Sequence, residues 1–404
     1  MMSTNMYTLL TSNFECQQTM QDIKIGQKIK QVLNGEEYYA FIPSKFPPKK
    51  LGQFPPDIIK KNDEATRLLG KLDGITKLLP DSDFFILMYL RKDAASSSQI
   101  EGTMATMVDA IEAEVQTSEN IPDDVDDILH YIKALNYGMD KIAKQDIPFS
   151  LRFIRDLHKQ LMQSARATHF SNPGEFRTSQ NWIGGTKPSN SKFVPPPPIE
   201  MNTALKDLEE FINKNDTIPT VIKAGLIHSQ FELIHPFLDG NGRTGRMIIT
   251  FYLWQEKYLE KPVLFLSSYF KRNQNLYYKR LEDYHEGNVD KWINFFLDGV
   301  IEIANEAINI VSEITQIREK DMKKVESLGK RSAESVMLVL TKLYGQPIVN
   351  SAVIQSWTGY SREGTNRLIK KMIDLRILSK KDRDKTYGQS YIYKDYIKIF
   401  TERD

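Results

Sequence analysis

The spacing of hydrophobic residues along the chain predicts a protein that is mainly α-helical. From residue 62 to residue 315, apolar side chains recur at the three- and four-residue intervals of helices that bury one face. One such helix runs up to Ile234, and Pro236 follows closely, where the missing backbone N–H ends helical hydrogen bonding. Residues 247–254 are almost entirely apolar and predict a second, buried helix. A short glycine-containing loop therefore joins two core helices.

The same pattern divides the chain into four parts. We expect the first, mixed in periodicity and rich in proline, to pack on the core as an N-terminal lobe. A helical core, a charged linker helix and a small domain follow, and the order of short helices and strands in the last predicts a winged helix. The four parts are residues 1–61, 62–315, 316–330 and 331–404. In the last part we expect helices at 335–344, 351–357 and 361–372, and strands at 378–381 and 390–393 around a charged tip, 382–388.

Composition is ordinary for a soluble chain. The 404 residues are 41% hydrophobic and carry a formal net charge of +2. No apolar stretch approaches the roughly 18 residues of a membrane span, and no basic and apolar segment marks a signal peptide. Cys16 is the only cysteine, which excludes intramolecular disulfides. We therefore expect a cytoplasmic protein that does not bind membranes.

The C-terminal part is more basic than the rest. Residues 331–404 hold 14 Lys and Arg against 8 Asp and Glu, and the helix at 361–372 would be the recognition helix of a winged helix. Basic helices of this kind bind DNA in some proteins and contact proteins or only solvent in others. DNA binding through 331–404 and protein contact, including a homodimer, both remain open.

The loop between the two core helices concentrates polar chemistry. Unpaired amides at a helix start attract anions, and glycines let a phosphate approach the backbone. Two arginines in the first turns add forked donors that match phosphate geometry. A carboxylate of the type that Mg²⁺ prefers beside phosphates and a histidine able to accept a proton precede them. The stretch reads His235-Pro236-Phe237-Leu238-Asp239-Gly240-Asn241-Gly242-Arg243-Thr244-Gly245-Arg246.

This stretch resembles the Fic family motif, His-x-Phe-x-(Asp/Glu)-Gly-Asn-Gly-Arg-x-x-Arg, at every fixed position. Proteins of that family transfer AMP from ATP to a Ser, Thr or Tyr hydroxyl of a target protein. The resemblance implies a helical Fic core in which His235 is the general base, Asp239 holds Mg²⁺ and Phe237 anchors the loop. The phosphate-binding residues that it implies are Gly240, Asn241, Gly242, Arg243, Thr244, Gly245 and Arg246.

A second resemblance lies upstream, in the segment 94–103. Ser97 and Glu101 stand four residues apart and would share a helix face. Taken alone, a glutamate before a glycine is most often an exposed residue near a helix end. Beside the Fic motif, the segment is similar to the family's inhibitory signature, (Ser/Thr)-x-x-x-Glu-(Gly/Asn). The resemblance implies that Glu101 pairs with Arg246, replaces its γ-phosphate contact and holds ATP in an unproductive pose.

A third matching stretch, 176–198, predicts a β-hairpin, because aromatic and branched runs flank a Gly-Gly and Lys-Pro-Ser-Asn tip. It is similar to the Fic flap, which registers a target segment by strand addition. The four prolines that end it fit a stiff return to the next helix, with a polyproline ligand as the alternative. The residues expected to dock a target are Trp182, Ile183, Phe193 and Val194.

Further along the chain, two pairs of residues that contain tyrosine resemble the family's adenine-side wall. They are Ser268-Tyr269 and Tyr277-Tyr278. Aromatic residues at this spacing are more often core residues, and Tyr278 is the candidate for nucleotide contact. His285 stands where many relatives carry Asn, which leaves the contact to the base open.

The sequence therefore predicts an autoinhibited, Mg²⁺-dependent protein adenylyltransferase whose partners are ATP and a target protein, with self-modification included. Its fold would be a helical Fic core with a β-hairpin flap and a small C-terminal winged helix. Two alternatives remain. With Glu101 orienting water, the same site could hydrolyse AMP from a modified protein. In the other, residues 331–404 bind DNA and the Fic core senses a nucleotide.

Overall fold

The structure of the chain is a computed structural model that describes residues 23–33, 35–49, 51–79, 81–115, 121–144, 148–163, 172–382 and 388–402. Helices dominate these residues, as predicted, and two small antiparallel sheets accompany them. Among the helices described, none is both long and apolar enough to cross a membrane. Cys16, the first 22 residues of the expected N-terminal lobe and residues 383–387 of the expected tip lie outside the described residues.

The N-terminal lobe contains a β-hairpin that the hydrophobic pattern did not predict. Strands β1, Gly26–Leu33, and β2, Glu36–Pro43, pair antiparallel over their full length. The turn between them includes Gly35, whose φ of 82° favours glycine. The sequence Asn34-Gly35 is the strongest short signal for such a hairpin, so the hairpin could have been recognised.

Within the described residues up to Glu326, eleven α-helices follow and build the core. Proline in the first turn starts two of them, α1 and α6, where a missing N–H costs no helical hydrogen bond. In chain order they are α1 Pro56–Thr76, α2 Ser82–Ile100, α3 Met107–Ala113, α4 Asp123–Ala143, α5 Leu151–Met162, α6 Pro198–Asn213, α7 Thr220–Ile234, α8 Asn241–Gln255, α9 Ser267–Arg272, α10 Gln274–His285 and α11 Val289–Glu326.

Helix α7 lies at the centre of this core, and every residue from Val221 to Ile234 is buried. Helix α11 packs closely against it, since the indole of Trp292 donates to the carbonyl of Gly225 at 2.9 Å. A Cβ on Gly225 would stand 2.7 Å from the ring of Phe296. A helix buried all round gives no amphipathic stripe, and it rigidly positions the loop that follows it.

The charged linker helix expected at 316–330 forms the last part of α11, a single helix that begins at Val289 and ends at Glu326. The expected linker, 316–330, is therefore not a separate helix. The division of the chain into four parts otherwise stays a prediction, although Ser327 to Gly329 do interrupt the helix where its boundary was expected.

The described residues of the C-terminal part contain the predicted helices and strands in the predicted order, with shorter strands, one further strand and one further helix. Its sheet is antiparallel in the order β3-β5-β4, and Asn350 and Ser361 cap helices with their side chains. Assignment to the winged-helix class stays a prediction. The elements are α12 Lys330–Leu343, β3 Ile348–Asn350, α13 Ser351–Thr358, α14 Arg362–Asp374, β4 Ser379–Lys380, β5 Ser390–Ile392 and α15 Lys394–Thr401.

This C-terminal part packs directly on helix α2. The guanidinium of Arg91 donates to the carbonyl of Gly345 at 2.7 Å and pairs with Glu114. The ammonium of Lys92 donates to the carbonyl of Phe400 at 2.9 Å. Helix α2 is therefore held between the core and the C-terminal part, a few residues before Ser97.

Candidate active site

Helices α7 and α8 meet at the predicted tight joint. His235 ends α7 in the left-handed region, with φ 48° and ψ 61°, and Gly240 precedes α8 with φ 74°. A Cβ on Gly240 would stand 2.9 Å from the sulfur of Met162, so both the space and the conformation call for glycine. The loop is compact because its two ends are turned by these residues.

The side chain of Asn241 locks the loop instead of facing outward. Its amide oxygen accepts from the N–H of Phe237 at 2.8 Å, and its amide nitrogen donates to the carbonyl of Phe237 at 2.8 Å. The ring of Phe237 is fully buried and stacks on His158 at 3.6 Å. Phe237 thus lies in the core, as expected, and only the backbone amide of Asn241 is left for an anion.

His158 is a loop-supporting residue that sequence reasoning missed. Its Nδ1 accepts from the N–H of Gly174 at 2.9 Å, so Nε2 carries the proton and donates to the carbonyl of Asp239 at 2.9 Å. Burial lowers the pKa of His158 to about 4, which keeps this neutral tautomer at pH 7. A histidine on the apolar face of α5 gives no sequence signal for such a contact.

His235 is half-buried, and its Nδ1 has no hydrogen-bond partner among the described residues. Burial lowers the pKa of His235 to about 4, and the positive charge of Arg177 acts in the same direction. The imidazole is therefore neutral at pH 7. A neutral imidazole can act as a general base toward a nearby hydroxyl.

Arg246 belongs to the second turn of α8, and its guanidinium binds residues of helix α2. Its Nε donates to the hydroxyl of Ser97 at 2.8 Å, and its Nη2 donates to the carbonyl of Ser97 at 3.0 Å. The same Nη2 lies 2.7 Å from Oε1 of Glu101. Burial works against the charge of Arg246, but the Glu101 carboxylate raises the pKa of the guanidinium above its ordinary value. The structure thus brings together the three residues expected to form the inhibitory contact.

Glu101 also reaches the first turn of α8. A Cβ on Gly242 would stand 2.4 Å from Oε1 of Glu101 and 3.0 Å from Nη1 of Arg246. The carboxylate therefore lies against the helix N-terminus, where the unpaired amides and the dipole favour an anion. Its side chain is 39% exposed, so solvent still reaches it.

Arg243 and Asp239 lie on the other side of this turn. Nη1 of Arg243 is 3.7 Å from the Asp127 carboxylate, and Nη2 is 3.9 Å from that of Asp239. Arg243 is buried, whereas the Asp239 side chain is 53% exposed. A single accessible carboxylate beside an anion site suits Mg²⁺, which keeps several waters and binds phosphates. Among the described residues, no group of three or more His, Cys, Asp or Glu could hold a metal alone.

Thr244 and Gly245 lie on the core side of α8, which corrects their expected role in phosphate binding. Thr244 is fully buried. A Cβ on Gly245 would stand 2.3 Å from the carboxylate of Glu232 and 3.2 Å from Phe231. Gly245 faces α7, and the Thr244 side chain is enclosed by the core, so neither residue offers an accessible side chain to a phosphate.

Glu232 is a buried acid of α7 that the sequence motifs did not mark as part of the site. Burial raises the pKa of Glu232 to about 8, although the charge of Arg246 opposes this shift. The carboxyl is therefore mostly protonated at pH 7, and Arg246 keeps Glu101 as its ionised partner.

Of the aromatic pairs, only Tyr278 is accessible, with 47% of its surface exposed. Burial raises the pKa of Tyr278, and the negative charge of Glu101 adds to this shift. Tyr277 is a core residue, whose hydroxyl donates to Nε2 of His228 at 2.9 Å while Nδ1 of that ring donates to Gly245. Tyr269 is buried as well.

The flap is a hairpin closed by one bridge in the described residues. The N–H of Ile183 donates to the carbonyl of Phe193 at 2.8 Å, and the tip turns through Gly184 and Gly185, both with positive φ. Trp182 and Ile183 are exposed at 36% and 37%. These two residues remain available for docking.

The structure contradicts the expectation that the Val194 side chain is available to dock a target. It is buried against Tyr38 and Ala40, and its carbonyl accepts from the N–H of Phe41 at 2.8 Å. Strand β2 therefore already occupies this part of the flap. The prolines that follow lead directly into α6, as expected for a rigid connection from the flap to the next helix.

Phe193 and His285 stack with ring centroids 4.3 Å apart. Burial lowers the pKa of His285 to about 3, and the neighbouring His235 acts in the same direction. Its Nε2 has no partner within the described part of the chain. His285 thus joins the flap to the site, and Phe193 is only partly accessible for docking.

Comparison with known proteins identifies the class. A family model described as Fic/DOC family N-terminal matches residues 59–140, and one described as Fic/DOC family matches residues 148–253. The first match includes Ser97 and Glu101, and the second includes the flap and the whole joint from α7 to α8. Residues 59–140 and 148–253 of the chain therefore match the N-terminal and core models of the Fic/DOC family.

Curated relatives carry the same family name. The chain is 28% identical over 204 residues to the protein adenylyltransferase Fic of Drosophila yakuba and to its namesake of Drosophila erecta. The match covers 49% of this chain and 38% of each relative. The chain thus spans well under half the length of these relatives.

A solved structure shares the fold. The crystal structure of a Fic family protein from Desulfovibrio desulfuricans G20 matches with a TM-score of 0.52 and 18% identity, covering 84% of this chain and 97% of that chain. The mainly helical architecture with its small sheets is therefore a Fic fold.

Proposed function

We propose that this chain is a protein adenylyltransferase that transfers AMP from ATP to a hydroxyl of a protein and releases pyrophosphate. The observation that carries the proposal is a neutral histidine, His235, beside a helix start flanked by Arg243 and Arg246. A base next to an anion site is what attack on a phosphate requires. The names of the Drosophila relatives point to the same activity.

In the proposed reaction, His235 takes the proton of the target hydroxyl. The oxygen then forms a bond to the α-phosphorus, and the bond from that phosphorus to the bridging oxygen breaks as pyrophosphate leaves. The backbone amides from Gly240 to Gly242 face the charge that develops, and they need no reorganisation because the Asn241 amide already fixes the loop. Positioning supplies most of the remaining acceleration.

Mg²⁺ fits this site through Asp239, whose accessible carboxylate lies beside the first turn of α8. When bound, such an ion neutralises charge between the phosphates of the nucleotide. Arg243 would hold a phosphate from the same side, since its guanidinium is near Asp239. Tyr278 is the remaining candidate for the nucleoside, because its side chain is accessible.

Autoinhibition is part of the proposal. Glu101 occupies one donor of Arg246 and the first turn of α8, which are the places that the outer phosphate of a productive ATP would take. Nucleotide would still bind, but with its phosphates displaced from the line of attack. A displacement that costs 1.36 kcal/mol lowers the rate tenfold, so a single carboxylate is enough.

The protein target would dock along the flap, at the exposed Trp182 and Ile183, with Phe193 partly accessible. An extended target segment can add to a free strand edge there and bring its hydroxyl toward His235. The chain itself is one such target. DNA binding by residues 331–404 and a homodimer stay predictions from the sequence, and no contact described here favours either.

The test is intact-mass analysis after incubation with MgATP labelled at the α-phosphate. We expect the Glu101→Gly variant to transfer the label to itself or to added proteins at least several-fold faster than the unchanged protein. The double variant Glu101→Gly, His235→Ala should lose about 10²–10⁴-fold, the usual contribution of a general base. ATP labelled at the γ-phosphate is the control, and label from it would identify a kinase instead.

A second function, removal of AMP, is favoured by the exposure of Glu101, whose carboxylate solvent can reach. In that reaction Glu101 would orient water, and the Glu101→Gly variant would lose AMP removal from a modified protein. The adenylyltransferase assignment fails if that variant binds ATP normally but transfers no α-label to any protein.

A further inference from the structure

A single buried arginine at the base of the flap binds backbone carbonyls on both sides of the site. Arg177 is 3% exposed. Its Nε donates to the carbonyl of His235 at 3.0 Å, and its Nη1 donates to that of Ser179 at 3.0 Å. Its Nη2 donates to the carbonyl of Pro196 and lies 3.4 Å from that of Ile234. All of these acceptors are carbonyls.

Among the residues that the structure describes, no carboxylate forms an ion pair with this guanidinium. Burial lowers the pKa of Arg177 to about 10, so the side chain keeps its charge at pH 7. The compensating negative charge comes from the carbonyls at the C-terminal end of α7, where the helix dipole is negative. An unpaired buried cation is costly, and its forked geometry is what allows one side chain to satisfy several carbonyls.

The four carbonyls belong to two separate parts of the site. Ser179 and Pro196 stand at the beginning and the end of the flap, while Ile234 and His235 end helix α7. The backbone N–H of Arg177 adds a bond of 2.9 Å to the carbonyl of Pro236. Arg177 therefore fixes the distance between the flap and the end of α7.

His235 needs such a support because of its backbone. Its φ of 48° lies in the left-handed region, which is unfavourable for a residue other than glycine. The bond from Nε of Arg177 to the carbonyl of His235 holds this conformation from outside the loop. The direction of the Cα–Cβ bond of His235, from which the imidazole extends, depends on this backbone conformation.

We propose that Arg177 is a positioning residue that sets the imidazole of His235 against the target segment held by the flap. This inference rests on the proposed function, in which His235 deprotonates a hydroxyl presented there. A general base must lie within about 2.6–3.2 Å of the atom that loses the proton. A lysine would keep the positive charge but lacks the forked donors of the guanidinium. It could therefore not bind carbonyls of the flap and of the end of α7 at the same time.

The charged and titratable groups that face His235 are Arg177, Glu101, Asp239 and His285. Arg177 disfavours a proton on the imidazole, whereas Glu101 and Asp239 favour one. Removing the arginine charge therefore raises the pKa of His235, and replacing it by lysine leaves that pKa almost unchanged. This difference separates the electrostatic part of its role from the geometric part.

The experiment compares Arg177→Lys and Arg177→Met, each in the Glu101→Gly background. Arg155→Met is the matched control, because Arg155 donates to the carbonyl of Gly174 at 2.7 Å and pairs with Glu175 but does not touch the catalytic loop. Two quantities are measured in this background, the Kd of MgATP and the single-turnover rate of transfer. The pKa of His235 is measured by NMR in the same Arg177 and Arg155 substitutions made with Glu101 kept.

We expect Arg177→Lys to slow transfer on the order of tenfold to hundredfold, as small misplacements do, with the Kd of MgATP unchanged. Arg177→Met should show the same loss and also raise the pKa of His235. The control should leave the transfer rate within about twofold. A lysine variant with an unchanged rate would overturn the proposal, and so would a methionine variant with an unchanged pKa.

The NMR titration and the MgATP affinity do not depend on transfer. If no variant of the Glu101→Gly background transfers AMP, the proposed function fails. The pKa shift in Arg177→Met still decides whether Arg177 acts on His235. If Arg177→Met does not fold, Arg177→Lys and its rate remain a sufficient test.

Discussion

His235 is kept neutral by its surroundings and not by a hydrogen-bonded partner. Its Nδ1 is buried without an acceptor among the described residues, and the cationic Arg177 stands at its carbonyl. Many catalytic histidines are oriented by a carboxylate. Here the backbone conformation and the burial of the ring take that place, so the protonation of His235 is set by its environment.

A pH dependence follows at this scale. With a pKa of about 4, His235 is deprotonated throughout the neutral range and gains a proton only as the pH falls toward that value. In the Glu101→Gly variant a negative neighbour is lost, which lowers this pKa further. We expect kcat at saturating MgATP to stay level from pH 8 down to about pH 5 and to fall below it. A midpoint near the ordinary histidine value of about 6.5 would contradict the burial of the ring.

At this scale the motif predicted the candidates well but not the direction of every side chain. His235, Asp239 and Arg246 lie around one helix start, as the resemblance implied. Thr244 and Gly245 turn to the core, because a helix that packs on α7 must bury one face whatever the motif contains. Side-chain direction depends on packing partners that are distant in sequence.

At the scale of elements, the joint between α7 and α8 depends on an internal scaffold. Asn241 satisfies the N–H and the carbonyl of Phe237, and both groups lie in a fully buried stretch. His158 supports the same loop through the carbonyl of Asp239. The loop is therefore rigid before any ligand binds, which is what prearranged amides require.

Asn241→Ala should destabilise the protein by about 1–3 kcal/mol, because two buried backbone groups lose their partner. The Tm, measured by calorimetry, should fall by a few degrees. Asn305→Ala is the matched control, since that amide makes one bond to the carbonyl of Ile301 on an exposed helix face. Equal Tm values for both variants would mean that the loop does not depend on Asn241.

The elements show where sequence patterns suffice and where they do not. Helices α7 and α8 follow from their apolar runs, and the flap follows from its glycine tip. The hairpin β1–β2 was missed although Asn34-Gly35 marks its turn, because exposed side chains on both strands hide the alternation. The hydrogen bond between Phe41 of this hairpin and Val194 of the flap could not be predicted from either segment alone.

At the scale of the whole molecule, helix α2 joins the C-terminal part to the contact of Ser97 and Glu101 with Arg246. Arg91 and Lys92 hold carbonyls of that part, and Ser97 and Glu101 hold Arg246 one and a half to three turns later. Residues separated by 145 positions meet in this contact. Composition and periodicity could not predict that meeting, and only the family resemblance indicated it.

The replacement Arg91→Ala tests this arrangement. It removes a buried cation from Glu114 and from the carbonyl of Gly345. We expect a lower Tm and a several-fold rise in basal AMP transfer, because α2 is then held less firmly over α8. Arg67→Ala, on an exposed face of α1, is the control and should change neither. If Arg91→Ala lowers the Tm but leaves the rate of AMP transfer unchanged, contact with the C-terminal part does not contribute to inhibition.

The central claim is that the start of α8 cradles a triphosphate and that Glu101 stands where its outer phosphate belongs. The most direct measurement is a crystal structure of the Glu101→Gly variant with Mg²⁺ and a non-hydrolysable ATP analogue. We predict the phosphates on the amides from Gly240 to Gly242, the outermost one bonded to Arg246, and the innermost one beside His235. An analogue bound with its phosphates away from α8, or with Arg246 still turned to Ser97 and bonded to no phosphate, would contradict the account.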